Sequence, residues 1–129
     1  MRSTAVIAWV VAGVTLYECE VRFADYEGDA KIVRIPGVMG AAVRREDIVP
    51  AGSWFVTRDS AVHKAARNQE VTCIAQRTIV NDLDRLVKKH PGYYDNDLAV
   101  ARQRLGDMEY DLKVIRTSGP VFYRLAASF

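Results

Sequence analysis

The chain has 129 residues, half of them hydrophobic, with 18 basic and 16 acidic side chains and a formal charge of +2. That length is the size of one domain able to bury a core without staples, so residues 1–129 are read as a single unit: 1–57 rich in strands, 58–116 helical, 117–129 a C-terminal strand and tail. A charge this close to neutral lacks the positive excess that by itself announces a nucleic-acid binder.

In chain order, residues 5–14 form a nearly unbroken apolar run behind Arg2. The run is too short for a membrane span, which takes about 20 residues, and no small-residue cleavage pattern follows it. Rich in Val, Ile and Trp9, it reads as a strand covered on both sides. No membrane association is expected, and a cytoplasmic location follows. Gly13 allows a turn. From Tyr17 the chain alternates, with Tyr17, Cys19, Val21 and Phe23 on one side and Glu18, Glu20 and Arg22 on a wet one. Asp25-Tyr26-Glu27-Gly28-Asp29 has turn composition. Residues 31–35 read as a third strand ended by Pro36-Gly37, and residues 38–43 as a fourth, short strand bent at Gly40. The charged run Arg44-Arg45-Glu46-Asp47 follows, and residues 50–52 turn into Trp54-Phe55-Val56.

A helix then starts behind Thr57, whose hydroxyl suits an N-cap, with Ala61, Val62, Ala65 and Ala66 as its apolar side. Asn68-Gln69 is either a break or a polar point in a longer helix running to His90. Gln76, Ile79, Leu83, Leu86 and His90 keep a three-four rhythm, widened by Val80 and Val87, until Pro91-Gly92 stops it. Asp95, Asn96 and Asp97 are candidate caps for a second helix. There Leu98, Ala101, Leu105, Met108, Leu112 and Ile115 fall at alternating steps of three and four, a heptad seam that needs a partner. Arg102, Arg104, Asp107, Glu109 and Asp111 lie off it. The two patterns predict an antiparallel helical hairpin. Thr117-Ser118-Gly119-Pro120 ends it, and residues 121–125 read as a last strand. The fold class is therefore α+β: a small antiparallel β-meander or barrel, a helical hairpin and a short C-terminal strand.

Residues 6–66, with their strand, turn, strand, turn, "VRREDI" strand, short aromatic strand and helix, resemble the SH3-like small barrels of short bacterial and phage accessory proteins. The resemblance implies a phage or mobile-element accessory protein that binds a larger host machine and inhibits or adapts it. It carries no functional residues with it.

Chemistry has little to build on. His63, His90, Cys19 and Cys73 are scattered singly, without metal-ligand spacing. The two cysteines read as buried thiols of a reducing compartment rather than as a bridge. No nucleophile elbow, Walker loop or dinucleotide fingerprint is present. Glu18 and Glu20 share a strand face at about 7 Å, the reach of paired carboxylates, but a solvated face accounts for them. No enzyme, metal or cofactor is expected. The seam residues and Tyr110 are the candidate dimer or partner interface, because Val100, Tyr110 and Val114 give the second helix more apolar surface than a two-stranded contact consumes; a homodimer through the helices is expected. A recognition patch is drawn from Arg44, Arg45, Trp54, Arg58 and Lys64 around the first helix, and from Lys88, Lys89, Tyr93 and Tyr94 at the hairpin tip. The expected function is a non-catalytic protein-binding module. The alternative is nucleic-acid binding through the basic and aromatic patch on the β part.

Overall fold

The structure, a computed structural model, describes residues 4–23 and 28–126. The turn expected at residues 25–27 lies outside them. The chain is α+β, an open sheet of mostly antiparallel strands followed by two helices and a short last strand. Strands β1 (Val6–Ala12) and β2 (Thr15–Phe23) form a hairpin in register from Val6↔Val21 to Ala12↔Thr15. Gly13 makes its tight turn at φ 62, a left-handed conformation that costs glycine nothing. Strand β3 (Ala30–Arg34) pairs with the far half of β2, and β4 (Ile48–Val49) pairs with β3. On the other side β5 (Trp54–Phe55) pairs with Trp9 and Val10 of β1.

The strand order β4-β3-β2-β1-β5 leaves the near half of β2's outer edge free. Strand β6 (Phe122–Tyr123) takes that place, parallel to Leu16 and Tyr17. The register of β3 on β2 shifts between Glu20 and Val21, just short of the stretch β6 occupies.

Period-two alternation sorts the core into two layers. Ala8, Val10, Tyr17, Cys19, Val21, Ala30, Ile32, Val43 and Val49 bury on one face, and Trp9, Val11 and Leu16 bury on the other against Ala61 and Ala65. Strand β1 is thus covered on both sides, as its composition predicts. On the wet side expected for β2, Glu18 and Glu20 are half-buried, because the C-terminal segment returns past them: Leu125 N–H donates to Glu18 Oε1 at 3.0 Å, and Arg34 of β3 donates from Nε to Glu20 Oε2 and from Nη1 to Ala126 O, each at 3.1 Å. Glu18 holds the tail directly, and Glu20 does so through Arg34.

Two expectations need correction. Residues 38–43 form no strand: Val38, Ala41 and Val43 all turn into one core cluster, which an alternating strand cannot do. Among the described residues no strand partner takes its amides: Val38 N–H turns back to Pro36 O at 2.9 Å and Ala42 N–H donates to the Tyr17 hydroxyl at 3.2 Å, while Arg44 N–H, just past the stretch, donates to Asp47 Oδ2 at 3.0 Å. The second correction concerns the caps. Helix α2 (Asp95–Ser118) has Tyr94 at its N-cap with no side-chain bond, and Asp95 and Asp97 sit inside the first turn, where their charge suits the helix dipole.

Helix α1 (Arg58–Lys89) is one uninterrupted helix of 32 residues, capped by Thr57, which accepts from Ser60 N–H at 3.3 Å. Asn68-Gln69 does not break it, because both amides find partners outside the helix: Asn68 Nδ2 donates to Gly13 O at 2.7 Å and Gln69 Nε2 to Met108 O at 2.9 Å. Among the described residues no helix is long and apolar enough to cross a membrane. Gly106 lies inside α2 with nothing within 4 Å of where a Cβ would stand. Gly106→Ala is therefore expected to raise unfolding stability by about 0.5–1 kcal/mol, read by urea titration.

Candidate functional site

Only the first turns of α1 lie on the sheet, and the helix is about 48 Å long at 1.5 Å per residue, so most of the hairpin stands away from the β layer. Its seam is closed within the chain. Leu98, Ala101, Leu112 and Ile115 are buried, and Leu105 and Met108 are half-buried. Tyr110 is 67% exposed, off the seam. The candidate interface residues thus divide into a seam used up by α1 and an outer rim.

The hairpin's register can be read from its polar contacts. Gln69 donates to the carbonyl of Met108, and Gln76, seven residues on, donates to the carbonyl of Ala101, seven residues back, at 3.1 Å. On one flank Glu70 pairs with Arg116 at 3.1 Å, Arg77 with Glu109 at 3.8 Å and Asp84 with Arg102 at 3.3 Å, again in sevens. The signs alternate down each helix. Sliding the hairpin by one heptad would set acid against acid and base against base, so these half-exposed pairs, individually worth about 0–1 kcal/mol, serve chiefly to select one register.

The opposite flank is built differently. A groove of about 280 Å³ runs between the helices there, lined by Gln76, Ile79, Leu83, Asp97, Val100, Ala101 and Arg104. Ile79 and Val100 are 48% and 45% exposed. Beyond Gln76 no residue of α1 is fully buried, and Leu83, Leu86 and Val87 are only half covered. Two helices alone can bury only a narrow stripe of each other, and among the described residues no third element is laid over the remainder.

The recognition patch does not come together as one surface. Arg44 and Arg45 are exposed on the loop ahead of β4, while Lys88, Lys89 and Tyr93 are exposed at the far end of the hairpin. Tyr94 is half-buried against the His90 ring. Arg58 lies 4.1 Å over the ring of Phe122, which packs edge-on to Trp9; it fastens β6 to the start of α1. Trp54 packs on the core, meets Phe23 edge-on and donates from Nε1 to Gly28 O at 2.7 Å. Its ring is a structural part rather than a stacking platform. Lys64 is half-buried on α1. Sequence reasoning passed over the row of Glu70, Arg77 and Asp84 and the pair Asp97 and Arg104, although charge of alternating sign at seven-residue steps was there to be found.

Among the described residues no group of three His, Cys, Asp or Glu side chains is placed to hold a metal ion. Both cysteines are free and buried. Burial, helped by the charge of Glu18, pushes the Cys19 thiol from 9.0 up to about 12, and burial also raises Cys73. In the unfolded chain Cys19 ionises near 9 while the folded chain keeps its proton. The native state then binds more protons, and stability must fall as pH rises from about 9 toward 12. Urea titrations across that window are expected to show a shallower fall for Cys19→Ala, by up to one proton's worth of slope.

In comparison with known proteins, the chain matches no family model, no curated protein and no solved structure.

Proposed function

We propose that the protein is a non-catalytic protein-interaction module whose working part is the projecting helical hairpin, carried on a sheet that fixes its base. The observation that carries this reading is the contrast between the hairpin's two flanks. One is closed by three ion pairs between the helices, whereas the other exposes Ile79 and Val100 beside half-covered Leu83. Apolar surface buried on association is worth roughly 25 cal/mol per Å² before its costs, so the bare flank is the one that gains from a partner. The resemblance to small-barrel accessory proteins supplies the context, a protein that blocks or adapts a larger machine of the host.

The spread of the basic residues favours this reading over nucleic-acid binding, since Arg44 and Arg45 share no groove with Lys88 and Lys89. Photo-activatable side chains placed at Ile79, and at Glu109 on the ion-paired flank, test it in living host cells. Covalent protein adducts are expected from position 79 and not from 109. Equal labelling from both positions, or none, would end the proposal.

A further inference from the structure

The groove flank carries half of the charge code that closes the other flank. Asp97 and Arg104 stand seven residues apart on α2, line the same groove, and flank Val100. Neither takes part in an ion pair among the described residues, whereas Arg102 and Glu109 on the opposite flank are both matched by α1. On the groove side α1 offers Ile79 and Leu83 instead of countercharge. Opposite charges set symmetrically about an apolar centre complement themselves when a second identical helix runs antiparallel. A two-fold axis between Val100 and Ala101 would bring each Asp97 to the other copy's Arg104.

Resting on the reading of the hairpin as the interacting part, we infer that the occupant of this groove is a second copy of the chain. The two hairpins lie antiparallel about that axis and complete a four-helix bundle. Isologous contacts of this kind require that a patch match its own rotated image, and this one does in both charge and hydrophobicity. The location fits the need as well. The axis lies level with Gln76, which bonds to Ala101, so the distal third of each hairpin, where α1 has no fully buried residue and Ile79, Leu83, Leu86 and Val87 lack full cover, runs along the other copy. Each hairpin reaches roughly 20 Å of helix past the axis and meets the other by one flank alone, which places the contact at the small end of specific interfaces and the dissociation constant in the micromolar range. The alternating signs also fix the direction. A parallel pairing in the same place would set Asp97 on Asp97 and Arg104 on Arg104.

The test combines a cross-link with a charge exchange on the full chain. Val100→Cys lies next to the axis and is expected to form a disulfide-linked dimer on mild oxidation, while Tyr110→Cys, also exposed on α2, stays monomeric; the native cysteines are buried and silent. Sedimentation equilibrium is expected to show a reversible wild-type dimer. Asp97→Arg and Arg104→Asp should each weaken it by about tenfold or more, because each substitution acts twice in a symmetric contact. The double variant, which restores both pairs with signs exchanged, should recover most of the affinity. Circular dichroism on every variant separates lost contact from lost fold. A wild-type chain that stays monomeric to about 500 µM, far above a micromolar constant, overturns the inference, as does cross-linking from Tyr110→Cys as readily as from Val100→Cys. If the chain is monomeric yet a probe at Ile79 still captures another protein, self-association falls while the interaction reading stands.

Discussion

Leu112→Asp is expected to strip α2 from α1 and to cost about 3–5 kcal/mol. Leu112 is 7% exposed and sits in the seam that joins the helices, with Ala101 and Ile115 buried along the same stripe. A carboxylate there is set among apolar side chains, and the cation one turn on, Arg116, is already paired with Glu70, so the helix can hydrate the new charge only by leaving. Because α2 is held chiefly by α1, its departure would remove up to 24 residues of helix from the far-ultraviolet circular dichroism while leaving the β core in place. The same charge at exposed Gln103 should cost less than about 0.5 kcal/mol. Equal effects at the two positions would mean that the seam is not what joins the hairpin.

The second large effect is expected at Leu16, where truncation to Ala should cost about 2–5 kcal/mol through a cavity that neighbours cannot fill. Leu16 is fully buried between the sheet and α1, packed with Trp9, Val11, Ala61 and Ala65. Its N–H also donates to Val121 O at 3.0 Å, so the same residue anchors the returning C-terminal strand. Urea titration should give a lower midpoint with an unchanged slope. Ile7→Ala on β1, where the native side chain is 47% exposed, should cost under about 1.5 kcal/mol, the lower end of full burial. A Leu16→Ala loss no larger than that of Ile7→Ala would place the junction between sheet and hairpin elsewhere.

How much of this was legible in the sequence depends on the range of the interaction. Strand β1, the alternation of β2, the cap at Thr57, the stop at Pro91-Gly92 and the seam of α2 are short-range patterns, and each was readable because neighbours three, four or two residues apart share a face. Residues 38–43 misled because apolar residues near Gly40 have the composition of a strand, while what shapes them is a core cluster built from β1, β2 and β3. Asn68-Gln69 could not be decided locally. A polar dipeptide breaks a helix or sits quietly in it according to whether partners stand opposite, and Gly13 and Met108 are distant in sequence.

The site divides in the same way. That two apolar ribbons would lie antiparallel was contained in their spacing, and so was a surplus of apolar surface on α2. Which flank carries that surplus was not. A heptad pattern says that a stripe is covered but does not say which side of it the neighbouring helix leaves open, because that depends on the register between two segments that loops and polar contacts must set. Seven-residue steps of alternating charge fix that register only after the helices have met, when each sign can find its opposite across the gap. The sequence by itself therefore determined the elements and their inner faces, through contacts a few residues apart. Only the tertiary structure decided that one flank is closed by ion pairs while the other exposes Ile79, Val100 and two charges unmatched among the described residues, because pairing between distant residues is a property of their arrangement in space.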